Sequence, residues 1–295
     1  MISFKERLSQ PGILIADGAT GTTFHCAGLP RGAAPERWNL ENPEGVRNLH
    51  RSYMEAGADI ILTNTFGGTR YRLERDRLGD RVYEVNVAAA RLAKEVTGEG
   101  TIVFGDIGPT GQLLKPYGKL GFEDAADAFY EQARGLADGG VDAILIETMS
   151  DLNEAKAALQ AVRKVTSLPV LITMSFDTHG RTMMGVKPET AARELWSLNI
   201  DVIGANCGRT LSETLEAILE MRQAVPEATL MAKPNAGLPH RDAEDTVFDI
   251  TPDIMADYAV KFVEGGVKIF GGCCGSTPEH IKAVAAVLKN RSLGN

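Results

Sequence analysis

The chain has 295 residues, 44% of them apolar, and a formal net charge of −8. That supports a sizeable core and argues against disorder, while the scattered Lys and Arg form no basic block for nucleic acid or a membrane surface. No apolar run approaches the roughly 18 residues of a membrane span and the N-terminus lacks a signal-peptide core, so a cytoplasmic protein with reduced thiols is expected.

In chain order, an apolar strand, a Gly-containing turn and a helix alternate. Strand one, Ile13–Asp17, runs into Gly18-Ala19-Thr20-Gly21. A Gly- and Pro-rich loop from about Gly28 to Pro43 precedes a helix near Val46–Ala56, which stops at Gly57. Strand two is Ile60–Phe66, and its helix covers Val82–Val96. Strand three, Ile102–Asp106, leads to a helix near Glu123–Asp138. Strand four, Ala143–Met149, leads to a helix over Asp151–Val165. Strand five is Val170–Phe176, with a helix opening after Lys187-Pro188-Glu189. Strand six, Asp201–Gly208, precedes a helix over Leu211–Val225. Strand seven, Leu230–Gly237, is followed by an insertion, His240–Asp249, and a helix with Thr251 as N-cap and Pro252 at the first position. Strand eight is Lys268–Phe270, and the last helix runs from about Pro278 to Leu288.

Eight strand–helix units with no break in composition predict an α/β protein. The expected architecture is a (β/α)8 TIM barrel forming a single domain over residues 1–295. An open doubly wound sheet competes, because Gly18-Ala19-Thr20-Gly21 partly matches a dinucleotide-binding turn. The full Gly-x-Gly-x-x-Gly spacing is missing.

Barrel active sites lie at the C-terminal ends of the strands. Those ends collect Asp17, Asn64-Thr65, Asp106, Glu147, Ser175-Asp177, Asn206-Cys207, Asn235 and Cys273-Cys274. The cysteines are the sharpest signal. Alternate barrel strands contribute to the same interior layer, so strands six and eight can aim Cys207 and the Cys273-Cys274 pair at one point. Neighbouring residues on a strand face opposite ways, so the pair must leave strand geometry, which Gly271, Gly272 and Gly275 permit. Three thiolates leave one tetrahedral position open, the pattern of a catalytic zinc. Burial as small apolar groups and a vicinal disulfide are the alternatives. Cys26 has no partner at matching spacing and is expected to pack. His25 is read as a solvated loop histidine, and His280 as structural.

Several segments together resemble the homocysteine S-methyltransferase family. They are Asp17-Gly-Ala-Thr-Gly-Thr22, Thr63-Asn-Thr-Phe-Gly-Gly-Thr69, Gly105-Asp-Ile-Gly-Pro-Thr-Gly111 and Glu147-Thr-Met-Ser-Asp-Leu-Asn-Glu-Ala155, followed by Gly204-Ala-Asn-Cys-Gly208, Lys233-Pro-Asn-Ala-Gly237 and Gly271-Gly-Cys-Cys-Gly-Ser-Thr-Pro-Glu-His280. Within the family the chain looks most like the N-terminal homocysteine-binding module of cobalamin-dependent methionine synthases. The resemblance implies a (β/α)8 barrel holding one Zn2+ on Cys207, Cys273 and Cys274, with homocysteine as methyl acceptor. It places Asp17 and Glu147 at the substrate's amino group and backbone near Gly18 and Ala19 at its carboxylate. Asn235 is expected as a fourth metal ligand when substrate is absent. Cobalamin-dependent methionine synthases continue into further regions, whereas this sequence stops after the eighth helix. Cobalamin or folate is therefore expected only on a partner protein, with a methyl-corrinoid protein as methyl donor. S-methylmethionine or betaine is the alternative donor. A non-catalytic zinc-binding barrel is the alternative class.

Overall fold

The computed structural model describes residues 3–98, 100–242 and 245–292. Ala243 and Glu244, inside the expected insertion, lie outside the described residues. The chain opens with α1 (Phe4–Ser9), β1 (Leu14–Ile15), α2 (Gly21–Cys26), α3 (Trp38–Glu41), α4 (Pro43–Glu55), β2 (Ile60–Leu62), α5 (Arg70–Leu73) and α6 (Val82–Val96). Three strand–helix units follow: β3 (Ile102–Ile107) with α7 (Phe122–Asp138), β4 (Ala143–Met149) with α8 (Leu152–Val165), and β5 (Val170–Met174) with α9 (Pro188–Trp196). Next come β6 (Val202–Cys207), α10 (Leu211–Ala224), β7 (Leu230–Pro234), a hairpin of β8 (Pro239–Asp242) and β9 (Asp245–Phe248), and α11 (Pro252–Glu264). The chain closes with β10 (Val267–Phe270) and α12 (Pro278–Ser292).

Eight strands pair in parallel in the order β1-β10-β7-β6-β5-β4-β3-β2. The ring closes between β1 and β2 through an Ala16–Ile60 bridge and a bond from Asp17 N to Ile60 O of 3.0 Å. Side chains complete that short seam. The Asp17 carboxylate accepts the Leu62 N–H at 2.8 Å, taking the place of a backbone carbonyl. The expected eight-stranded barrel is therefore present.

The strands are buried on both faces, as parallel strands between helices must be. One apolar shell packs the outer strand faces against the helices, through residues such as Ile61, Val103, Ile144 and Ile172. A second shell fills the interior, including Leu14, Ile60, Leu62, Phe104, Leu145, Leu171 and Met231. Phe4, on the unforeseen helix α1, plugs the N-terminal end of the barrel. Its ring meets Phe104 edge-on, with centroids 5.0 Å apart. A capping box between Ser3 and Glu6 starts α1.

At the N-terminal rim, an aspartate precedes alternate strands. Asp59, Asp142 and Asp201 each accept a backbone N–H from the preceding strand, at Ile15 (3.0 Å), Val103 (2.7 Å) and Val170 (2.9 Å). Each follows a left-handed residue, Gly57, Gly140 or Asn199, that turns the chain out of a helix. Lys268 holds the corresponding position before Ile269 and donates instead to the Gln10 and Gly12 carbonyls.

Several expected boundaries move. Strand one shortens to Leu14–Ile15 with Ala16 as a bridge, and strand two stops at Leu62. Beyond Leu62, the side chains of Thr63 and Thr65 bond to the Asp106 backbone on β3, and that of Asn64 bonds to Asn39 on α3 and to Pro35 O. Part of the Gly28–Pro43 loop is helical, at Pro35–Arg37 and in α3. The insertion is an antiparallel hairpin.

Candidate metal and substrate site

The same strand alternation that fills the barrel builds the floor of the site. Asp106 follows Ile102 and Phe104 on the interior face of β3. Glu147 follows Ala143 and Leu145 on β4, and Lys233 follows Met231 on β7. Each interior row is apolar below and charged in its uppermost layer. Lys233, 2% exposed, donates to Glu147 Oε2 at 3.0 Å. Asp106 and Asp17 lie close enough to act on both through their charge.

Burial raises the pKa of each of these acids. Asp17 rises to about 7 through burial, against the pull of Lys233 and the Leu62 N–H. Burial and the neighbouring Glu147 lift Asp106 well above the carboxylate range. Glu147 is raised by burial, with Lys233 opposing. Burial alone would lower Lys233, but Glu147, Asp17, Cys273 and Asp106 prevail and hold it above its ordinary value. Asp17 Oδ1 and Asp106 Oδ1 are buried without a hydrogen-bond partner. The layer thus keeps unused acceptor capacity beside a fixed cation.

Above this floor stand the three cysteines. Cys207 ends β6, and Cys273 and Cys274 follow β10. Their sulfur atoms all lie within 4.8 Å of one another, with Cys207 and Cys273 at 2.8 Å. The departure from strand geometry falls partly on Cys207 itself, which has a left-handed φ of 56°, followed by Gly208 at 75°. The neighbouring glycines serve closeness more than left-handed turning. A Cβ on Gly271 would come within 2.8 Å of Ala16 Cβ, and one on Gly272 within 2.1 Å of Ser276 Oγ. Gly275 alone of these three has a positive φ, 78°.

Backbone bonds fix both cysteine loops. Cys273 N–H donates to Pro234 O at 2.9 Å, and Ser276 Oγ donates to Cys273 O at 2.7 Å. Asn235 ties the two loops together, accepting Cys274 N–H on Oδ1 at 3.0 Å and donating from Nδ2 to Gly208 O at 2.8 Å. Asn206, anchored by Thr148 and Thr173, presents Nδ2 to Cys207 Sγ at 3.7 Å and to Cys273 Sγ at 3.9 Å.

Crowding sets the charge of the trio. Hydrogen bonds from Cys207 and Cys273 pull Cys274 down to about 3. Donation toward Cys273 and Cys274, together with burial, pushes Cys207 up. A hydrogen bond from Cys207 favours the Cys273 thiolate, but its bond to Cys274 and burial raise it to about 12. Crowding of the three thiols thus favours charge on Cys274 and opposes it on Cys207 and Cys273. This soft donor set, with its sulfurs all within 4.8 Å of one another, suits zinc, whose bonds to thiolate sulfur are about 2.3 Å long.

A cavity of about 350 Å³ joins these parts, lined by the three cysteines, Glu147, Lys233 and Asp106 and reaching Arg72. Gly18 and Ala19 also line it, whereas Asp17 lies beneath, 2% exposed. The Ala19 N–H is already engaged by Ser276, with O at 3.1 Å and Oγ at 3.2 Å, and so is not a free donor. Lys233 and Asp106 received no role from sequence reasoning. Their signal was present as period-two parity with the apolar interior residues Met231 and Phe104.

Outside the site, Cys26 is exposed rather than packed, because it ends α2 on the surface. His280 is structural as expected. It accepts from Thr277 N–H at 3.2 Å, and its Nε2 lies 2.8 Å from Ile250 O, joining α12 to the segment after the hairpin. Among the described residues, no helix is long and apolar enough to cross a membrane.

The family model for homocysteine S-methyltransferases matches residues 14–288. The chain is 33% identical to the methionine synthase of Mycobacterium leprae over 303 aligned positions, covering 96% of this chain. It is 34% identical to that of Mycobacterium tuberculosis over 298 positions, covering 94% of this chain. It spans about 25% of the length of each of these curated relatives. Among solved structures, the metallated form of the Escherichia coli homocysteine methyltransferase MmuM superposes with a TM-score of 0.80 at 21% identity, covering 95% of this chain and 98% of that one. A methyltransferase from Methanosarcina mazei superposes with a TM-score of 0.64 at 12% identity, covering 99% of each chain. These two likenesses show the fold.

Proposed function

The chain belongs to the homocysteine S-methyltransferase family, and from that premise we propose that it moves a methyl group to the sulfur of L-homocysteine, giving methionine, with zinc held by Cys207, Cys273 and Cys274. The observation that carries this reading is the convergence of the three sulfurs on the wall of a cavity whose floor is a charged layer.

A free thiol with a pKa of about 8.5 is mostly protonated at neutral pH. When bound, the zinc ion supplies Lewis acidity that favours the thiolate form of the substrate sulfur. The sulfur lone pair then forms the new S–CH3 bond as the methyl group's bond to its donor breaks. The electron pair of the broken bond stays with the donor. The thiol proton passes to solvent before the methyl group moves.

The protein's residues set the approach. Glu147 faces the substrate ammonium and Asp17 adds negative charge from beneath, while Lys233 favours the carboxylate form of Glu147 and aims it. Asp106, which the sequence reading placed at a strand end without a role, joins them from the cavity floor. Gly18 and Ala19 shape the wall near the carboxylate, with Gly18 as the backbone donor because Ala19 N–H is engaged. Asn235 holds the cysteine loops together, and in the fourth-ligand role, with substrate absent, it would use the second lone pair of Oδ1. Fixing sulfur and ammonium together is an orientation effect, which lowers the barrier by holding the attack geometry in advance.

The likeness to the homocysteine-binding module of cobalamin-dependent methionine synthases makes a methyl-corrinoid the methyl donor proposed, and the curated relatives carry the name methionine synthase. Turnover of homocysteine against methylcobalamin, a methylated corrinoid protein, methyltetrahydrofolate, S-methylmethionine and betaine tests this. Methionine formed from the corrinoid donors is the expected result, and methionine formed only from the small donors would overturn that assignment. Cys207→Ala and Cys273→Ala should each lower zinc from one per chain, and full loading in both would remove the metal assignment.

A further inference from the structure

The cavity extends beyond what the cysteines and the charged floor require. Its volume of about 350 Å³ falls at the lower end of pockets that enclose drug-sized ligands, roughly 300–1,000 Å³. A small amino-acid thiol leaves part of it unfilled. The remaining wall is formed by Arg72 and Arg75 with Gly32–Glu36. Arg72 lies on α5, just after β2, and β2 stands four strands around the ring from β6, which carries Cys207. The arginines therefore look across the barrel mouth from Cys207.

Arg72 is half-buried and held in orientation. Its Nε donates to Pro109 O at 3.1 Å, and its guanidinium lies over Gly111, where a Cβ would come within 2.9 Å of Cζ. Its terminal N–H groups, and all of Arg75, have no hydrogen-bond or ion-pair partner among the described residues. The nearby carboxyls are engaged elsewhere. Glu36 accepts Gly67 N–H at 2.5 Å, Glu154 accepts Thr110 N–H at 2.8 Å, and Asp76 accepts Ala34 N–H at 3.1 Å. Burial and the neighbouring Arg75 lower the Arg72 pKa, against Glu36 and Glu154. A half-buried guanidinium with unused donors in a cavity is short of an anion.

On the adjoining wall, just after the neighbouring strand β1, the Ala19 N–H expected to meet the substrate carboxylate is bonded to Ser276. A carboxylate in this cavity therefore lacks one expected donor, while a planar fork of donors stands unused. Arginine matches a carboxylate two bonds at a time. The adjoining Glu36 and Asp76 favour a singly charged ligand with its own cationic group over a multiply charged phosphate.

We propose that Arg72, with Arg75 beside it, forms a carboxylate-binding subsite for a small zwitterionic ligand. The proposal rests on reading the cysteine end as the homocysteine site. The carboxylate has two possible sources, homocysteine itself or a small carboxylate-bearing methyl donor of the betaine or sulfonium amino-acid type.

Calorimetric titration of the zinc-loaded protein with L-homocysteine, 3-aminopropanethiol, betaine and S-methylmethionine tests it, using wild type, Arg72→Met and Arg75→Met. Arg75 is exposed and unpaired, so its variant keeps the fold if Arg72→Met does not. Loss of about tenfold or more in homocysteine affinity, with 3-aminopropanethiol unchanged, assigns the subsite to the substrate's own carboxylate. Unchanged homocysteine binding with a similar loss for betaine or S-methylmethionine assigns it to the second ligand. Unchanged affinity for every carboxylate in both variants, or equal losses for 3-aminopropanethiol and homocysteine, overturns the proposal. A wild type that binds the betaine-type ligands through Arg72 but takes no homocysteine keeps the subsite and sinks the homocysteine reading.

Discussion

Replacing Lys233 with methionine removes the cation from a buried group of three carboxyls. Lys233 Nζ lies 3.0 Å from Glu147 Oε2, and the two side chains are 3% and 6% exposed. Removing one partner of such a pair leaves an uncompensated charge in the interior, a loss of about 3–5 kcal/mol. For a domain of this size that lowers the melting temperature by roughly 10 °C. The cost depends on pH in a definite direction. Without Lys233, the pKa of Glu147 rises further above its unfolded value of 4.5. The folded state then holds a proton that the unfolded chain releases, so the destabilisation is small at low pH. It grows as pH rises through the folded pKa, by up to about 1.4 kcal/mol per pH unit for one proton. Urea unfolding of Lys233→Met and wild type at pH 5.5 and pH 8 measures both the loss and its slope. Lys233→Met combined with Glu147→Gln should recover much of the loss at pH 8. A deficit below about 1 kcal/mol, equal at both pH values and untouched by the second substitution, would refute the buried-pair account.

The raised pKa of Asp17 carries its own expectation. It stands at about 7 in the fold against 3.8 as the model value, so the metal-free protein should lose stability as pH climbs between those values. Asp17→Asn should flatten the change between pH 5 and pH 7 by about 2 kcal/mol in urea unfolding, and an unaltered slope would remove Asp17 as its source. Gly275→Ala forces a side chain into a left-handed residue, with its Cβ 2.2 Å from Phe248 Cγ. A loss of about 1–2 kcal/mol, with weaker zinc binding, is expected by calorimetry, and wild-type values for both would show that this turn does not position the pair.

Much of the barrel was legible because its rule is local. Buried runs such as Ile144–Ile146 alternate with Ala-rich helices, and Thr251-Pro252 announces a helix start that the structure confirms, with Thr251 accepting from Ile254 N–H. The cysteines were legible through composition alone, since thiols beside glycines at strand ends have few packing explanations. What escaped depended on partners distant in sequence. Asp17 reads as a strand-end residue, yet it closes the barrel seam on Leu62. Lys233 reads only as a member of strand seven without a role, yet three acids on other strands make its burial tolerable. A departure from strand geometry was expected at the cysteine pair, where Gly275 supplies a left-handed turn, and a second left-handed residue is Cys207 itself. Nothing in the neighbouring residues signals that, because Asn206 is anchored from β4 and β5 by Thr148 and Thr173.

X-ray absorption at the zinc edge, recorded with and without L-homocysteine, tests the central claim most directly. The account predicts three sulfur neighbours from Cys207, Cys273 and Cys274 in the free protein and a fourth once homocysteine is added. An unchanged sulfur count on adding saturating homocysteine would contradict it, and would leave a zinc-binding barrel whose metal does not engage the substrate.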